Sequence, residues 1–505
     1  MAAARSRPGR PAIGWWKCRS TMPRPSPIST RSTNCTCTKA RSARVRLPAY
    51  AQDLAFRVHA RRPLFLFRLS RAPPDYAMPS LQSVISCLSD YDPSALPVAK
   101  ANAIIGDVIE PVGGIEQLAI RTALDRVLAE DVISSIDVPA HDNSAMDGYA
   151  FSSAALADAG SDVVLQVIGT AYAGNALGSP AGPGQAVRIM TGAVMPDGCD
   201  TVVPQEFVEI QAGGNQIRFA ADAVRAGDNR RLRGEDLASG QAALAAGRIL
   251  QPADIGLLAS LGVAEVKVRR RLRVAFFSTG DELRSIGEVL DPGCVYDSNR
   301  YTLHGMLRRL NVDLIDMGVV RDDPEALEAA FRSACENADA IITSGGVSVG
   351  EADYTKQIMA QLGDVTFWKI AMRPGRPMAF GRITSNGREA LLFGLPGNPV
   401  AVMVTFYHFV RAALHRLMGA KVAPLPLMRV RSAGTIRKKP GRTEYQRGIL
   451  APGADGTLEV RVTGQQGSGV LRSMSEANCF IVLAHEQGTV EAGESVEIML
   501  FDGLI

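Results

Sequence analysis

The sequence predicts a multidomain α/β plus β protein: a central α/β layered domain, a β-rich inserted domain, an elongated helical linker domain and a C-terminal β-barrel. Its 505 residues, 46% hydrophobic and 21% charged, supply material for several cores. Between residues 273 and 418, apolar runs that suit strands alternate with helical patterns, which is typical of a largely parallel sheet. On either side of this stretch, short β-type runs are separated by glycines.

These patterns divide the chain into five regions. Helical patterns at Thr122–Asp131 and Ile255–Leu261 flank the first β-type stretch, so we expect a linker domain that carries the β-rich unit as an insertion. The tail returns to strand patterns and is expected to close into a compact barrel. The expected boundaries are 1–77 for a disordered or wrongly assigned extension, 78–143 with 235–265 for the linker domain, 144–234 for the insertion, 266–424 for the α/β domain and 425–505 for the barrel.

Residues 1–77 have a charge pattern of their own. They hold 16 Lys and Arg against Asp53 and Asp75, a net charge of +14 in a chain whose total is +4. The rest of the chain therefore carries −10, which argues against a nucleic-acid-binding protein. The Arg-, Ser- and Pro-rich composition is typical of disorder or of a transit peptide. The favoured interpretation is an upstream start codon, with Met78 opening the protein.

Composition elsewhere indicates a cytoplasmic protein. The sequence has no run of 18 apolar residues, so we expect no membrane span. Five of its eight cysteines are scattered after residue 77 without the close pairing of zinc or redox sites, and the near pair Cys35 and Cys37 has no histidine close by. No HExxH motif occurs. We therefore expect reduced thiols and no His-based metal site.

The most informative segment is 338–356, where an apolar strand pattern turns into a glycine loop and then a helix. Gly345, Gly346 and Gly350 let the chain turn with its N–H groups exposed, and Asp353 can cap a helix that begins near Tyr354. Such a loop before a helix predicts an anion cradle, with phosphate as its natural ligand. The alternative is a glycine turn that only joins a strand to a helix.

The other unusual residues of the α/β domain also follow predicted strands. In sheets of this class, ligands bind beyond the carboxyl ends of the strands, so we expect one crevice to collect these segments. Acids, cations and backbone donors there would suit a phosphorylated, metal-bound substrate. The segments are Thr279–Glu282, Arg321–Asp323, the glycine loop, Lys369–Arg376 and Gly394–Asn398.

Acidic residues at the predicted crevice suggest a cation. If Glu282, Asp322 and Asp353 converge, two carboxylates about 5 Å apart repel by roughly 3 kcal/mol at an effective dielectric of 20, which a cation relieves. Mg²⁺ prefers carboxylate and phosphate oxygens, so we expect Mg²⁺ at Glu282 and Asp322 rather than zinc. The alternatives are local, since Asp323 and Asp353 can be helix N-caps and Glu282 a solvated turn residue.

Basic residues predict a second anion site at the same crevice. Lys369 precedes a turn in which a proline and a glycine separate Arg373 from Arg376. The stiff turn should project both guanidinium groups together, and a guanidinium fork matches oxyanions well. We favour an oxyanion pocket over the alternative of a solvated basic face.

Several motifs in the same order resemble the molybdopterin molybdenumtransferase family, which is related to the C-terminal domain of gephyrin. The resemblance covers about residues 80–505. The motifs are DNSAMDGYA at 142–150, RIMTGA at 188–193, RGED at 233–236, STGDEL at 278–283, YDSNR at 296–300, RDDP at 321–324, SGGVSVGEADYTK at 344–356 and GLPGNP at 394–399.

The resemblance implies insertion of molybdate into adenylated molybdopterin, with release of AMP and a need for Mg²⁺. It makes the α/β domain the molybdopterin-binding domain. Arg373 and Arg376 stand where relatives often have lysine, which keeps the charge but changes how an oxyanion is held. Carried over by motif, the catalytic residues are Asp147, Asp236, Glu282, Asp322 and Asp353. The substrate-binding residues are Thr191, Ser344, Gly345, Gly346, Gly350, Lys369, Arg373, Arg376, Pro396 and Ser468.

The resemblance also implies a homodimer whose site joins the α/β domain of one subunit to the β-rich domain of the other. Such sharing would bring Asp147 and Thr191 to the crevice. The adenylyltransferase of the pathway is a possible partner. Two other functions stay open: a molybdopterin adenylyltransferase, whose fold resembles the α/β domain alone, and a non-catalytic scaffold of the same fold.

Overall fold

The computed structural model describes residues 81–86, 91–157, 159–211, 213–347 and 354–503. By its internal contacts the chain forms two units, Met1–Pro74 and Asp75–Ile505, and every described residue belongs to the second. The expectations for residues 1–77, Gly350 and Asp353 concern positions outside the described ranges. Among the described helices, none is long and apolar enough to cross a bilayer.

Helices and strands alternate over most of the described chain. The α-helices are Leu81–Ser86 (α1), Val98–Val108 (α2), Ala154–Ala157 (α3), Pro252–Ser260 (α4), Ser298–Arg309 (α5), Pro324–Asn337 (α6), Tyr354–Leu362 (α7), Pro399–Thr405 (α8), Arg411–Leu417 (α9) and Arg472–Glu476 (α10). A π-helical segment, Phe406–Val410, joins α8 to α9, and short 3₁₀ turns occupy Ile120–Thr122 and Gln205–Phe207.

The strands before the α/β domain are short. They are Ile115–Ala119 (β1), Val132–Ile133 (β2), Asn143–Ser144 (β3), Gly148–Phe151 (β4), Asp162–Ala171 (β5), Gln185–Ile189 (β6), Thr201–Pro204 (β7), Glu209–Ile210 (β8), Gln216–Ala220 (β9), Arg230–Arg231 (β10), Ala242–Leu244 (β11) and Glu265–Arg269 (β12).

The later strands build the α/β sheet and the barrel. They are Arg273–Thr279 (β13), Leu283–Arg284 (β14), Val295–Tyr296 (β15), Asp313–Val320 (β16), Ala340–Ser344 (β17), Gly363–Lys369 (β18), Met372–Arg373 (β19), Pro377–Ser385 (β20), Arg388–Leu395 (β21), Met428–Ser432 (β22), Thr443–Pro452 (β23), Leu458–Val462 (β24), Cys479–Leu483 (β25) and Ser495–Leu500 (β26).

The α/β domain is built on a six-stranded sheet in the order β16-β13-β17-β21-β20-β18. Within this sheet β20 alone is reversed, so the predicted largely parallel sheet is confirmed. Both faces are buried, which explains why the strands read as continuous apolar runs. Along β13, Val274 and Phe276 pack into one core, and Ala275 and Phe277 pack into the other.

The β-rich domain is inserted into the linker domain, as expected. Its sheet has the order β7-β4-β6-β5-β9-β8, and Phe151 packs against Phe219 with ring centroids 5.2 Å apart. In the linker domain, β1 pairs with β12 and β2 with β11, so strands that precede the insertion pair with strands that follow it. These pairings make the two parts of the linker domain one structural unit.

One expectation for the linker domain is wrong. Thr122–Asp131 is not helical, although the neighbouring prediction at Ile255–Leu261 agrees with α4 except at its last residue. Asp125 has a φ of 60°, in the left-handed region that a right-handed helix excludes. The residues after Asp125 form isolated β-bridges with the second part of the linker domain instead.

The C-terminal domain is a closed five-stranded barrel, which confirms the predicted shape. Its strands follow the order β23-β24-β22-β26-β25, and pairing of β25 with β23 closes the ring. The short strand β19 of the α/β domain pairs in parallel with β23, where Arg373 lies opposite Glu444. This pairing attaches the barrel next to the basic turn of the α/β domain.

Candidate active site

The predicted segments of the α/β domain lie at one edge of its sheet. The parallel strands β16, β13, β17 and β21 end there, at Val320, Thr279, Ser344 and Leu395. Register continues the edge across β20 and β18, because Gly394 pairs with Ala379 and Lys369 pairs with Pro377. Connecting loops therefore leave the sheet on the side where ligands bind in this class of fold.

Strand order spreads these segments along the edge. The acidic loops follow β16 and β13, the glycine loop follows β17 at the centre, and Lys369 ends β18. Neighbouring strands lie about 4.8 Å apart, so about 19 Å separates β13 from β18. The predicted acids thus lie on one side of the glycine loop, where Arg284, Arg300 and Arg321 are also present, and the predicted cations lie on the other side. We call these sides the acidic end and the basic end, and a ligand that touched both would be long.

The start of the glycine loop is tightly packed. Gly345 has a φ of 99°, and a Cβ there would lie 2.5 Å from the carbonyl oxygen of Thr279. Gly346 has a φ of 65°, and a Cβ there would lie 2.6 Å from the side chain of Thr355. The N–H of Gly345 donates to the Leu395 carbonyl at 3.1 Å, so it serves the sheet and is not a donor for a bound anion.

Buried hydrogen bonds connect the start of this loop to the neighbouring loops and to helix α5. Ser344, only 1% exposed, accepts from the Asn299 amide at 2.8 Å, and the same amide donates to the Gly397 carbonyl at 2.7 Å. Asp297 caps α5 by accepting from the Arg300 N–H and also accepts from the Ser278 hydroxyl. Ser344 therefore joins neighbouring loops. Neither Asp297 nor Asn299 was among the predicted site residues, although both lie in the YDSNR motif and the position of Asp297 directly before a helix is readable in sequence.

The acidic end is made of two linked loops. Glu282 is exposed, and its carboxylate lies over Gly280, where a Cβ would come 2.5 Å from Oε2. The backbone N–H of Asp322 donates to the Asp281 carboxylate at 3.3 Å, which ties the loops after β13 and β16 together. Asp323 caps α6 by accepting from the Ala326 N–H at 2.9 Å, as predicted. In the described part of the chain, no three or more His, Cys, Asp or Glu side chains cluster as metal ligands.

The basic end borders a small cavity of about 230 Å³. Lys369 and Arg376 line it together with Lys356 and Trp368. Arg376 also donates to the Ser94 carbonyl at 3.3 Å, which orients its guanidinium group. Arg373 is exposed beside the barrel, so the structure places all three predicted cations near β18 and β19.

The barrel reaches the sheet edge through the loop that carries Ser468. The carbonyl of Ser468 accepts from the N–H of Val400, at the start of α8. Pro396, in the preceding GLPGNP loop, is buried. Both residues thus lie at the edge, and the described contact of Ser468 is made by its backbone.

Arg447 holds the Ser468 loop, a role that sequence analysis missed. Its side chain is 1% exposed and donates to the carbonyls of Gln465 and Gly467 and to the Ser473 hydroxyl. Burial, with Arg373 nearby, lowers the pKa of Arg447 to about 10. An arginine in a strand pattern gives no sign in sequence of pointing inwards, so only the structure reveals this contact.

A second polar cluster lies in the β-rich domain. The Asp147 carboxylate accepts from both the N–H and the hydroxyl of Thr191, each at 2.7 Å. These two hydrogen bonds, helped by the charge of Arg188, lower the pKa of Asp147. Asp147 and Thr191 are exposed. Asp236 is also exposed, and its backbone N–H donates to the Val138 carbonyl. Their described contacts stay within the β-rich and linker domains.

Family models match most of the described chain. A model described as MoeA N-terminal region (domain I and II) matches residues 96–262, one described as a probable molybdopterin binding domain matches 275–416, and one described as MoeA C-terminal region (domain IV) matches 429–501. The order of the three matches follows the domains seen in the structure.

Relatives that the chain matches over most of their length carry consistent names. The chain is 43% identical over 391 residues to a molybdopterin molybdenumtransferase of Haemophilus influenzae, covering 77% of this chain and 95% of the relative. It is 38% identical to the protein of the same name from Nostoc sp., over 74% of this chain and 86% of the relative. A molybdopterin biosynthesis moeA protein from Pyrococcus horikoshii aligns with a TM-score of 0.68 at 27% identity, covering 81% of this chain and all of that structure.

Proposed function

Because this chain belongs to the molybdopterin molybdenumtransferase family, we propose that it inserts molybdenum from molybdate into adenylated molybdopterin and releases AMP. The observation that supports this most directly is the layout of the sheet edge. A tightly packed glycine loop separates acidic loops from a basic cavity across about 19 Å. A long substrate with phosphates in its middle would meet oxygen ligands at one end and cations at the other.

The donors at the acidic end fit Mg²⁺. Glu282 offers an exposed carboxylate, and Asp322 lies on a loop tied to the same segment. Protein-bound Mg²⁺ commonly uses one or two carboxylates and takes its other ligands from water and substrate phosphates. When bound there, Mg²⁺ would neutralise charge on the substrate's phosphates.

The protein's own residues would bind and orient the two substrates. At the basic end, Lys369, Arg373 and Arg376 offer positive charge to the molybdate oxyanion. At the centre, Gly345 and Gly346 have no room for side chains because Thr279 and Thr355 occupy the space, so the start of the glycine loop is held in a fixed position against the sheet. The depressed pKa of Asp147 keeps it ionised at neutral pH, so in this role it accepts hydrogen bonds or a proton and does not act as an acid.

The proposal includes a cytoplasmic homodimer in which two subunits share the site. Within one chain, the described contacts of Asp147 and Thr191 lie in their own domain, and both side chains are exposed. Exposed polar groups held in fixed geometry suit contact with a ligand that another subunit carries. The adenylyltransferase that makes the adenylated substrate is the expected partner enzyme.

AMP release tests this function. Purified protein is mixed with adenylated molybdopterin, molybdate and Mg²⁺, and AMP and molybdenum-loaded product are measured. We expect AMP release that depends on Mg²⁺ and falls about 100-fold or more in Glu282→Ala. Glu328→Gln, which removes an exposed charge on α6, is the matched control and should retain activity.

Other outcomes separate the alternatives. Consumption of ATP with unmodified molybdopterin would identify an adenylyltransferase, and no turnover with either substrate would identify a scaffold. Full activity of Glu282→Ala, or activity without Mg²⁺, would reject the metal assignment and leave the transferase function standing. The β-rich domain and the barrel favour the transferase, since the adenylyltransferase resembles the α/β domain alone.

A further inference from the structure

A second cavity lies between the linker domain and the last helix of the α/β domain. Its volume is about 790 Å³, which is within the range of small-molecule sites. Ile105 of helix α2 and Ile109, the residue after that helix, lie on one wall, and α9 contributes Ala412 and Ala413 to the other. The following segment, residues 420–424, closes one side. Its walls are thus largely apolar.

The charged residues that line this cavity are all cationic. They are Arg411, Arg416 and Lys421, and no carboxylate of the described residues lines it. Arg411 is half-buried and donates to the Gly503 carbonyl at 2.9 Å, while its Nε is buried without a hydrogen-bond partner. Among the described residues no carboxylate pairs with Arg411. Burial lowers its pKa, because a charge away from water is unfavourable unless an anion compensates it.

Two histidines on the same wall have unmet hydrogen-bonding groups. His415 is 8% exposed, and neither of its ring nitrogens has a partner. Burial, with Arg411 nearby, lowers the pKa of His415 to about 4, so its neutral ring has one N–H to donate and one lone pair to accept with. Nε2 of His408 is likewise buried without a partner. A buried imidazole with both groups unsatisfied calls for a polar ligand atom.

The backbone is irregular where His408 lies. Phe406–Val410 is π-helical, and the N–H of Arg411 reaches back to the Phe406 carbonyl. A π segment adds a residue to a helical turn and changes where the following side chains point, and such segments are frequent at functional sites. Here the irregular turn lies directly before Arg411, so it helps to set the direction of the cation that faces the cavity.

The cavity is separate from the sheet edge. Helix α8 begins at the edge with Pro399, and His415 follows sixteen residues later along the same continuous helical rod. At 1.5 Å per residue this spacing corresponds to about 24 Å. No residue assigned to the proposed reaction lines the cavity.

We propose that this cavity binds a small organic anion with an apolar body, its acidic group facing Arg411, Arg416 and Lys421 and its body against the apolar walls. Three cations with no carboxylate among the described lining residues, two unsatisfied imidazoles and apolar walls together suit such a ligand. A neutral apolar ligand would leave the cations and imidazoles unmatched, and inorganic phosphate would leave the apolar walls uncovered.

The test uses a pair of fluorescent probes of similar shape. The full chain is titrated with 8-anilinonaphthalene-1-sulfonate, which has a sulfonate, and with N-phenyl-1-naphthylamine, which has none. We expect saturable binding of one sulfonate probe per chain, at least tenfold tighter than the neutral probe. Arg416→Gln and Lys421→Gln, both at exposed positions, should each raise Kd for the sulfonate probe about tenfold.

Matched controls locate the binding. Arg429→Gln, on the barrel with a side chain 80% exposed, and Arg472→Gln, on α10 with a side chain 87% exposed, should leave Kd unchanged. Equal affinity for both probes, no saturable binding, or equal effects of all four substitutions would overturn the proposal. The proposal would also be overturned if the wild type bound no probe and the mass of its oligomer in solution fell in Arg416→Gln. A second copy of the chain would then cover the cavity.

Discussion

The sheet edge of the α/β domain and the Asp147 cluster of the β-rich domain hold their polar residues in different ways. At the edge, Ser344 and Asn299 are buried and bonded to neighbouring loops, and Gly345 and Gly346 have no space for a side chain. In the β-rich domain, Asp147 is exposed, and its carboxylate accepts from the N–H and the hydroxyl of Thr191. Changes at the edge should therefore disturb structure and activity together, whereas changes at Asp147 should separate the two.

The largest expected effect is at the glycine loop, where Gly346→Ala should reduce activity about 100-fold or more. The new Cβ would meet the Thr355 side chain at 2.6 Å and force the loop to move. Gly387→Ala is the matched control, because Gly387 has a similar φ of 70° and nothing within 4 Å of its Cβ position. AMP release and thermal midpoint are measured for both. Equal losses in the two variants would show that backbone strain, and not the clash, is responsible.

A second large effect is expected for Asp147→Asn, which should lower activity without lowering stability. Activity should fall about 100-fold because the carboxylate charge is lost. The thermal midpoint should stay within about 1 °C, because the residue is exposed and the amide still accepts from Thr191. Asp162→Asn, which removes an ion pair with Arg218 in the same domain, is the control for lost surface charge and should remain active. A large drop in midpoint for Asp147→Asn would remove the contrast between the two regions.

An intermediate effect is expected at the barrel, where Arg447→Met should lower kcat/KM about tenfold and the unfolding free energy by about 2 to 4 kcal/mol. The change leaves the carbonyls of Gln465 and Gly467 unsatisfied and loosens the loop of Ser468. Arg447→Lys keeps a donor and should recover part of both losses. Steady-state kinetics and denaturant unfolding measure the two. If stability falls and kinetics do not change, the loop has no part in the site.

The smallest effect on activity is expected at the opposite edge of the sheet. Asp339, just before β17, pairs with Arg270 through two hydrogen bonds of 2.8 Å and accepts from the Arg273 N–H. Burial favours the neutral acid, but these bonds outweigh it and lower the pKa of Asp339. Asp339→Asn should destabilise the fold by about 1 to 3 kcal/mol and leave kcat unchanged.

The pH dependence gives a further check on Asp339. A folded-state pKa below the unfolded value of about 3.9 means that the stabilisation is present above that pH and disappears as pH falls through the folded pKa. The wild type should therefore be more stable than Asp339→Asn at pH 5, and this difference in stability should shrink as the pH falls from 5 to 3. Thermal unfolding across that range measures it. A constant difference between the two proteins would contradict the assigned cause.

Local sequence patterns were sufficient to predict most helices and strands of the α/β domain. Helix α6 begins at Pro324 because Asp323 caps it, and both the cap and the proline are readable in sequence. The buried strand β17 follows from its apolar run. By contrast, the helical pattern of Thr122–Asp131 was misleading, since tertiary β-bridges and the left-handed Asp125 override it.

Some features of the candidate site could not be predicted from the sequence because they depend on long-range contacts. Arg447 occupies a position in β23 that no local pattern marks, and its partners are 16 to 26 residues away. The use of the Gly345 N–H by Leu395 is equally invisible, because the two residues meet only when β17 and β21 pair. The glycine loop itself was readable, but which of its donors remain for a ligand was not.

The sequence by itself determined the family, the domain order and the chemical types available for a site, because motifs, apolar periods and caps are local properties of the chain. Tertiary structure alone decided that acids and cations lie at opposite ends of one sheet edge, that Ser344 and Arg447 are buried supports, and that a cationic cavity forms between α2 and α9. The reason is physical: strand order and helix packing bring together residues that are far apart in the chain, and no local pattern encodes those distances.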